Sequence, residues 1–343
     1  MNVLLCLSHS IEESQQLQLL HELGYGVASI GGYIDPAHPH DPKRPPLAQV
    51  PMVPEVKAAV DALGTDDNLG AAQANIPDAI LDWLGDDGVI IYHHYLDRLY
   101  GQWPRIKDWM DGAPQRRVIW RSVGQSVSNN EFQAMPYRKE GLERIAYSPK
   151  EANIPGYSGH DALIRFWMDP DEYGGWTGDT AIVINITQHL RQRDPYTNWG
   201  YWEEATRGLP RMALGPGSEV IGGSGEMSYA DMHTALREAR AYLYTGTQPA
   251  SYTLGLLEAM MTGTPIVSIG PKHHSIFPYG PDLFEGHELV RYYADDPAEA
   301  RHLLAVLLTD PDKAARISAE LRERAIDLFG KAHIAAQWKA FLG

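Results

Sequence analysis

The feature that most constrains this chain is the regular return of short apolar runs, each closed by a loop of small or polar residues and followed by a stretch with helical spacing. Such runs occupy residues 1–7, 26–30, 88–92, 117–120, 181–186, 209–214, 241–244 and 265–269, and residues 287–293 read as a last one. Runs that are apolar without alternation suit strands covered on both faces, as in a parallel sheet whose crossovers are helices. Strands alternating with helices therefore predict an α/β chain built from Rossmann-like βαβ units. At 343 residues the chain is too long for a single core and suits two such domains.

The punctuation agrees. Helical spacing runs over residues 11–23, 56–63, 76–84 and from about 95 to Met110, then over 228–240 with Ser228 as N-cap, 252–261, and from Pro297 to the C-terminus. The turn-rich residues 169–179 read as a linker. This divides the chain into an N-terminal domain of residues 1–170, a second domain of residues 171–325, and a terminal helix at 326–343 expected to return to the first domain. A Pro- and His-rich stretch from Tyr33 to about Pro54 is a long loop of the kind that carries function.

Charge and cysteine use narrow the function classes. A formal charge of −15 repels polyphosphates and anionic lipid, so nucleic acid is the least favoured partner and any phosphate site needs local cations. The pairs Arg116 with Arg117, and Arg191 with Arg193, are each sufficient for one diphosphate. The single cysteine, Cys6, forms no internal disulfide, no secretory leader precedes the first apolar run, and no run approaches membrane-spanning length. These features point to the cytoplasm and against membrane insertion.

Fourteen histidines are present, yet none falls in a ligand framework with acidic partners, so no metal site is expected. Asp169-Pro-Asp171 and Asp310-Pro-Asp312 have Asp-x-Asp spacing and read as turn and cap residues. Gly222-Gly-Ser-Gly225 lacks the strand and acidic residue of a dinucleotide fingerprint and suits the wall of a base pocket. His9, His93, His94 and Arg121 fall at carboxyl ends of strands, where ligands of open α/β sheets bind. His273 and His274 carry a weaker signal.

The strongest motif spans residues 247–268, TQPASYTLGLLEAMMTGTPIVS: a loop of small residues opens a helix that closes at a glycine before a proline and a strand. Amides at a helix N-terminus attract phosphate oxygens. A carboxylate further along, Glu258, is placed to accept from ribose hydroxyls. These residues resemble the donor-site signature of glycosyltransferase family 4 and its GT-B relatives, and the likeness extends from about Asp231 to Val267 with a looser continuation to Trp338.

The resemblance implies a GT-B fold, two Rossmann-like domains with parallel sheets facing a central cleft, and sugar transfer from a nucleotide-diphosphate donor with retention and without metal. No cofactor is implied beyond that co-substrate. Donor contacts would come from Ser251, the amides of Tyr252, Thr253 and Leu254, and Glu258. Arg191 or Arg193 would neutralise the leaving diphosphate, and His94, or His93 before it, would face the donor sugar. The acceptor is open among small molecules, glycans, proteins and modified nucleic-acid bases.

One departure matters: the first glutamate of the signature falls on Ala250, which accepts no hydrogen bond from a sugar. It favours one rival reading, a nucleotide-sugar binding protein without turnover; a second rival, a nucleotide-sugar epimerase, shares the same fold.

Overall fold

The structure is a computed structural model and describes residues 1–6, 10–30, 50, 52–63, 75–93, 96–273 and 282–343. The chain forms two compact units. The first comprises residues 1–147, 155–166 and 334–343, the second residues 148–154 and 167–333.

The first unit contains β1 (Asn2–Cys6), α1 (Ser10–Glu22), β2 (Gly26–Ser29), α2 (Pro54–Asp61), α3 (Asp78–Leu84), β3 (Val89–His93), α4 (Asp97–Asp111), β4 (Arg117–Arg121), α5 (Ser128–Lys139), β5 (Glu143–Ala146) and β6 (Ala162–Leu163). Its strands pair in parallel in the order β2-β1-β3-β4-β5-β6. Val3, Leu4, Leu5 and Val89, Ile90, Ile91 are fully buried, as strands covered by helices on both faces require. Because β2 lies on one side of β1 and β3 on the other, the strand order reverses between β1 and β3.

The second unit contains β7 (Thr180–Asn185), α6 (Trp199–Ala205), β8 (Arg211–Ala213), α7 (Tyr229–Glu238), β9 (Ala239–Tyr244), α8 (Leu254–Thr262), β10 (Ile266–Ile269), β11 (Tyr293–Ala294), α9 (Pro297–Thr309) and α10 (Pro311–Phe329). The last helix, α11 (Lys331–Leu342), starts here and continues into the first unit. The parallel order is β11-β10-β9-β7-β8. Its reversal lies between β7 and β9.

Capping follows the sequence signals. Ser228 accepts from the Asp231 amide at 3.1 Å, and Asp310 from that of Lys313 at 2.9 Å with Pro311 behind it. Asp169 accepts from the Asp171 amide at 2.9 Å, a turn contact.

Several boundaries differ from expectation. Residues 287–293 do not form a strand: Glu288–Tyr292 is a 3-10 helix capped by His287, and only Tyr293 and Ala294 pair with β10. The helix expected from Tyr252 begins two residues later, at Leu254. The elements α5, β5, β6 and α6 are additional. Among the described residues no helix is long and apolar enough to cross a membrane.

Candidate functional site

In an open parallel sheet, the loops after two strands diverge where the strand order reverses, leaving a crevice at their carboxyl ends. In the second unit this point falls between Asn185, which ends β7, and Tyr244, which ends β9. Side-chain bonds fix both exits. Asn185 is fully buried, donates to the Leu243 carbonyl at 2.8 Å and accepts from the Thr187 amide at 2.7 Å. Asn198 donates to the Thr245 carbonyl at 2.8 Å, and the Thr245 hydroxyl donates to the Thr197 carbonyl at 2.9 Å. The Gln248 amide donates to the Tyr196 carbonyl at 2.8 Å. The loop carrying Arg191 and Arg193 is thus tied to the loop that leads into α8.

The first turn of α8 closes the site from the β9 side. Its N-cap, Thr253, has extended backbone and no side-chain cap bond, so the amides of Leu254 and Gly255 that start the helix are not capped by the Thr253 hydroxyl. Burial holds the Tyr244 phenol well above its usual range, partly offset by the amide and hydroxyl of Thr253 that face it. Thr253 thus lies beside Tyr244, and the first turn of α8 receives no side-chain cap bond from it. A Cβ on Gly255 would lie 3.4 Å from that of Ile186, a contact tight enough to show how closely α8 approaches the β7 exit.

Glu258 lies one turn further along α8 and is 5% exposed. It lies close enough to the buried Tyr242 phenol to add to the upward shift that burial gives that group, which the Ile186 amide opposes. Ser251 and Tyr252 are buried, Tyr252 with its ring 5.8 Å from that of Phe329. Ala250 is buried too and forms an antiparallel bridge with Thr247.

The cations of the neighbouring loop are exposed. The Arg191 guanidinium stands 6.0 Å over the Trp199 ring, and Arg193 donates to the Gln188 carbonyl at 3.5 Å. Neither makes an ion pair among the described residues. The other candidate pair is occupied: Arg116 donates to the Gly85 and Trp109 carbonyls and pairs with Asp86 at 3.0 Å, while Arg117 makes a two-point contact with Glu143. After β8, Gly222-Gly-Ser-Gly225 folds back on the strand end, with the Ser224 amide on the Ala213 carbonyl at 3.0 Å and the Gly225 amide on the Ser218 hydroxyl at 2.9 Å.

In the first unit, His93 is the last residue of β3 and is 2% exposed. His94, His9, His274 and nearly all of the Tyr33–Pro54 loop lie outside the described residues. His273 is held structurally, its Nδ1 3.1 Å from the Asp295 carbonyl and its ring against Tyr201. Among the described residues no group of three His, Cys, Asp or Glu is arranged to hold a metal.

Asn198, Thr245 and Tyr244, which shape the site, drew no attention in the sequence. The available signal was the tetrad Asp194-Pro-Tyr-Thr197 before Asn198, since asparagine tolerates the left-handed backbone (φ +55°) found there.

Residues 184–340 match the family model for glycosyl transferase-like domains. Solved structures match the fold. A glycosyltransferase from Rickettsia africae is 10% identical with a TM-score of 0.63, covering 99% of this chain and 97% of its own. HepE from Anabaena, solved with UDP and glucose, is 13% identical with a TM-score of 0.60, covering 100% and 99%. TarM from S. aureus is 12% identical with a TM-score of 0.54 over 77% of this chain, which spans 58% of TarM's length. No curated protein matches the chain in sequence. The two-sheet α/β fold is that of the GT-B glycosyltransferases.

Proposed function

We propose that this chain, whose residues 184–340 match a glycosyl transferase-like domain, moves a sugar from a nucleoside-diphosphate donor to an acceptor hydroxyl. The observation that carries the reading is the start of α8: uncapped amides at the sheet's reversal point, with Glu258 one turn beyond. The Leu254 and Gly255 amides take diphosphate oxygens, Glu258 accepts from the ribose, and the loop after β8 borders the base. HepE is solved with UDP-glucose, which makes a uridine nucleotide the first donor to try.

In the reaction the bond from the anomeric carbon to the diphosphate oxygen breaks and one to the acceptor oxygen forms. Negative charge grows on the leaving diphosphate. The helix terminus and the exposed Arg191 or Arg193 stabilise that charge, which is the basis for proposing transfer without a metal ion. Retention of configuration follows if the donor's own phosphate takes the acceptor proton.

Calorimetry with a panel of nucleotide sugars, followed by diphosphate release with and without EDTA, tests this. Binding at micromolar strength and release that survives EDTA are expected. Glu258→Ala is expected to weaken donor binding at least about tenfold, or ~1.4 kcal/mol, and unchanged affinity would remove the assignment. Ala250 favours a second reading, binding without turnover, in which donor binds and no diphosphate is released with any acceptor.

A further inference from the structure

The exposed cations of the second unit stand on a loop that is held from beneath by buried hydroxyls and one buried amide. Residues 191–196 are exposed, whereas Leu190, Thr197 and Thr245 are fully buried and Asn198 is 7% exposed. Side-chain bonds link the buried residues in series. The Thr245 hydroxyl donates to the Thr197 carbonyl at 2.9 Å, Asn198 Nδ2 donates back to the Thr245 carbonyl at 2.8 Å, and the Thr197 hydroxyl donates to the Leu190 carbonyl at 2.5 Å. Thr245 therefore joins the end of β9 to the loop by two bonds of opposite direction, and Thr197 carries the link on to the residue before Arg191.

The loop's own bonds fold it into a compact turn. The Arg193 amide donates to the His189 carbonyl and the Tyr196 amide to the Arg193 carbonyl, both at 2.9 Å. Asp194, the acid within the loop, accepts from the Trp199 amide at 2.9 Å. The Tyr196 carbonyl accepts from the Gln248 amide at 2.8 Å, so the turn also meets the segment that leads into α8.

Packing alone does not call for this series. Valine would fill the space of Thr245 equally well, and a buried hydroxyl is costly unless it bonds. What the bonds fix is a stretch that presents two guanidinium groups, two residues apart, without an ion pair among the described residues. Like charges so close repel each other. Ordering such a loop only when a ligand arrives would cost roughly 1–2 kcal/mol per residue.

We propose that Thr245 is a positioning residue for the donor diphosphate: with Thr197 and Asn198 it holds the Arg191–Arg193 loop against the segment that opens α8, so that cations and helix amides meet one leaving group. The inference rests on the transfer reading. Thr245 is buried and touches no substrate itself; it acts by keeping the loop ordered before binding, since charges that need not reorganise stabilise a leaving group best.

The full chain is tested with UDP and UMP as probes, and the ratio of their dissociation constants by calorimetry isolates what the second phosphate contributes. In Thr245→Val the ratio is expected to fall about fivefold with UMP affinity unchanged, and Thr245→Ser, which keeps the hydroxyl, restores it. Arg191→Gln combined with Arg193→Gln lowers the ratio too, and adding Thr245→Val to that pair lowers it no further, because both act through the same groups. Asn198→Gly keeps the left-handed backbone and removes the side-chain donor, which gives a second variant should Thr245→Val not fold. An unchanged ratio, or losses that add in the combined variant, would overturn the proposal. A tie that merely stabilises the fold lowers the urea midpoint and leaves the ratio alone.

Hydrogen exchange without ligand separates this outcome from that of the transfer reading. The amides of Arg193 and Tyr196 should exchange at least about tenfold faster in Thr245→Val, while those within β7 and β9 keep their rates. Unchanged exchange in the loop would overturn the proposal whatever binds. If the wild type binds no nucleoside diphosphate, the transfer reading fails and takes the phosphate role with it, and the exchange rates still decide whether Thr245 holds the loop.

Discussion

At the residue scale, Glu12 and Gly263 show how one side chain, or the lack of one, sets a measurable quantity. Folded Glu12 binds its proton up to about pH 7, whereas 4.5 is its ordinary value. Between those values the folded protein holds a proton that the unfolded chain has released, so this group's contribution to stability falls as pH rises through the window. Glu12→Gln removes the dependence. Its stability relative to wild type, from urea titrations at successive pH values, should shift in the variant's favour between pH 4.5 and about 7 and be flat outside. Gly263 ends α8 with φ at +89°, and a Cβ there would lie 2.8 Å from the Ser318 hydroxyl. Gly263→Ala is expected to cost about 1–2 kcal/mol from backbone conformation alone, read as a lowered urea midpoint with unchanged slope.

At the element scale the question is how α8 reaches the β7 exit. Gly255 permits the approach, since even a methyl group would touch Ile186 at 3.4 Å and the Tyr242 hydroxyl at 3.7 Å. A branched side chain must push the first turn outward. Gly255→Val should therefore weaken nucleoside diphosphate binding at least about tenfold, or ~1.4 kcal/mol, by calorimetry, with Glu258 left in place. Wild-type affinity would mean that these amides do not meet the diphosphate.

The same helix shows what was legible beforehand. Its glycine stop, the strand after it and the preceding loop are local signals, and all were readable. Other elements depend on distant partners. In β5, Arg144 is fully buried because Glu131 pairs with it and the Trp120 ring lies 4.4 Å away, so a strand opening Glu-Arg carries no apolar signature. Helix α5 contains Pro136 and lacks a clear apolar stripe. Residues 287–293 have strand-like residues, but a local cap from the His287 ring to the Leu289 amide at 3.2 Å favours the 3-10 helix. The candidate site was legible where it follows a local motif, as along the helix that carries Glu258. It was hidden where it rests on bonds between loops, as at Asn198 and Thr245.

At the scale of the whole molecule, the chain's path couples its last residues to its first sheet. Residues 334–343 belong to the first unit. There Ile334 and Trp338 are fully buried, and Arg117 donates to the Phe341 carbonyl at 2.8 Å while stacking on its ring at 4.4 Å. The elements proposed to hold the donor all lie in the second unit. A two-unit protein need not unfold in one step, and a ligand stabilises only the unit that binds it. Trp338→Ala leaves a large cavity beside Arg121 and should destabilise the first unit by about 3–5 kcal/mol. Hydrogen exchange resolved along the sequence is the suitable measurement, because it reports each sheet separately. The variant should exchange faster in β1, β3 and β4, and saturating nucleoside diphosphate should slow exchange in β7, β9 and α8 to the same extent as in wild type. Loss of nucleotide protection in Trp338→Ala would show that the first unit is needed to build the donor site.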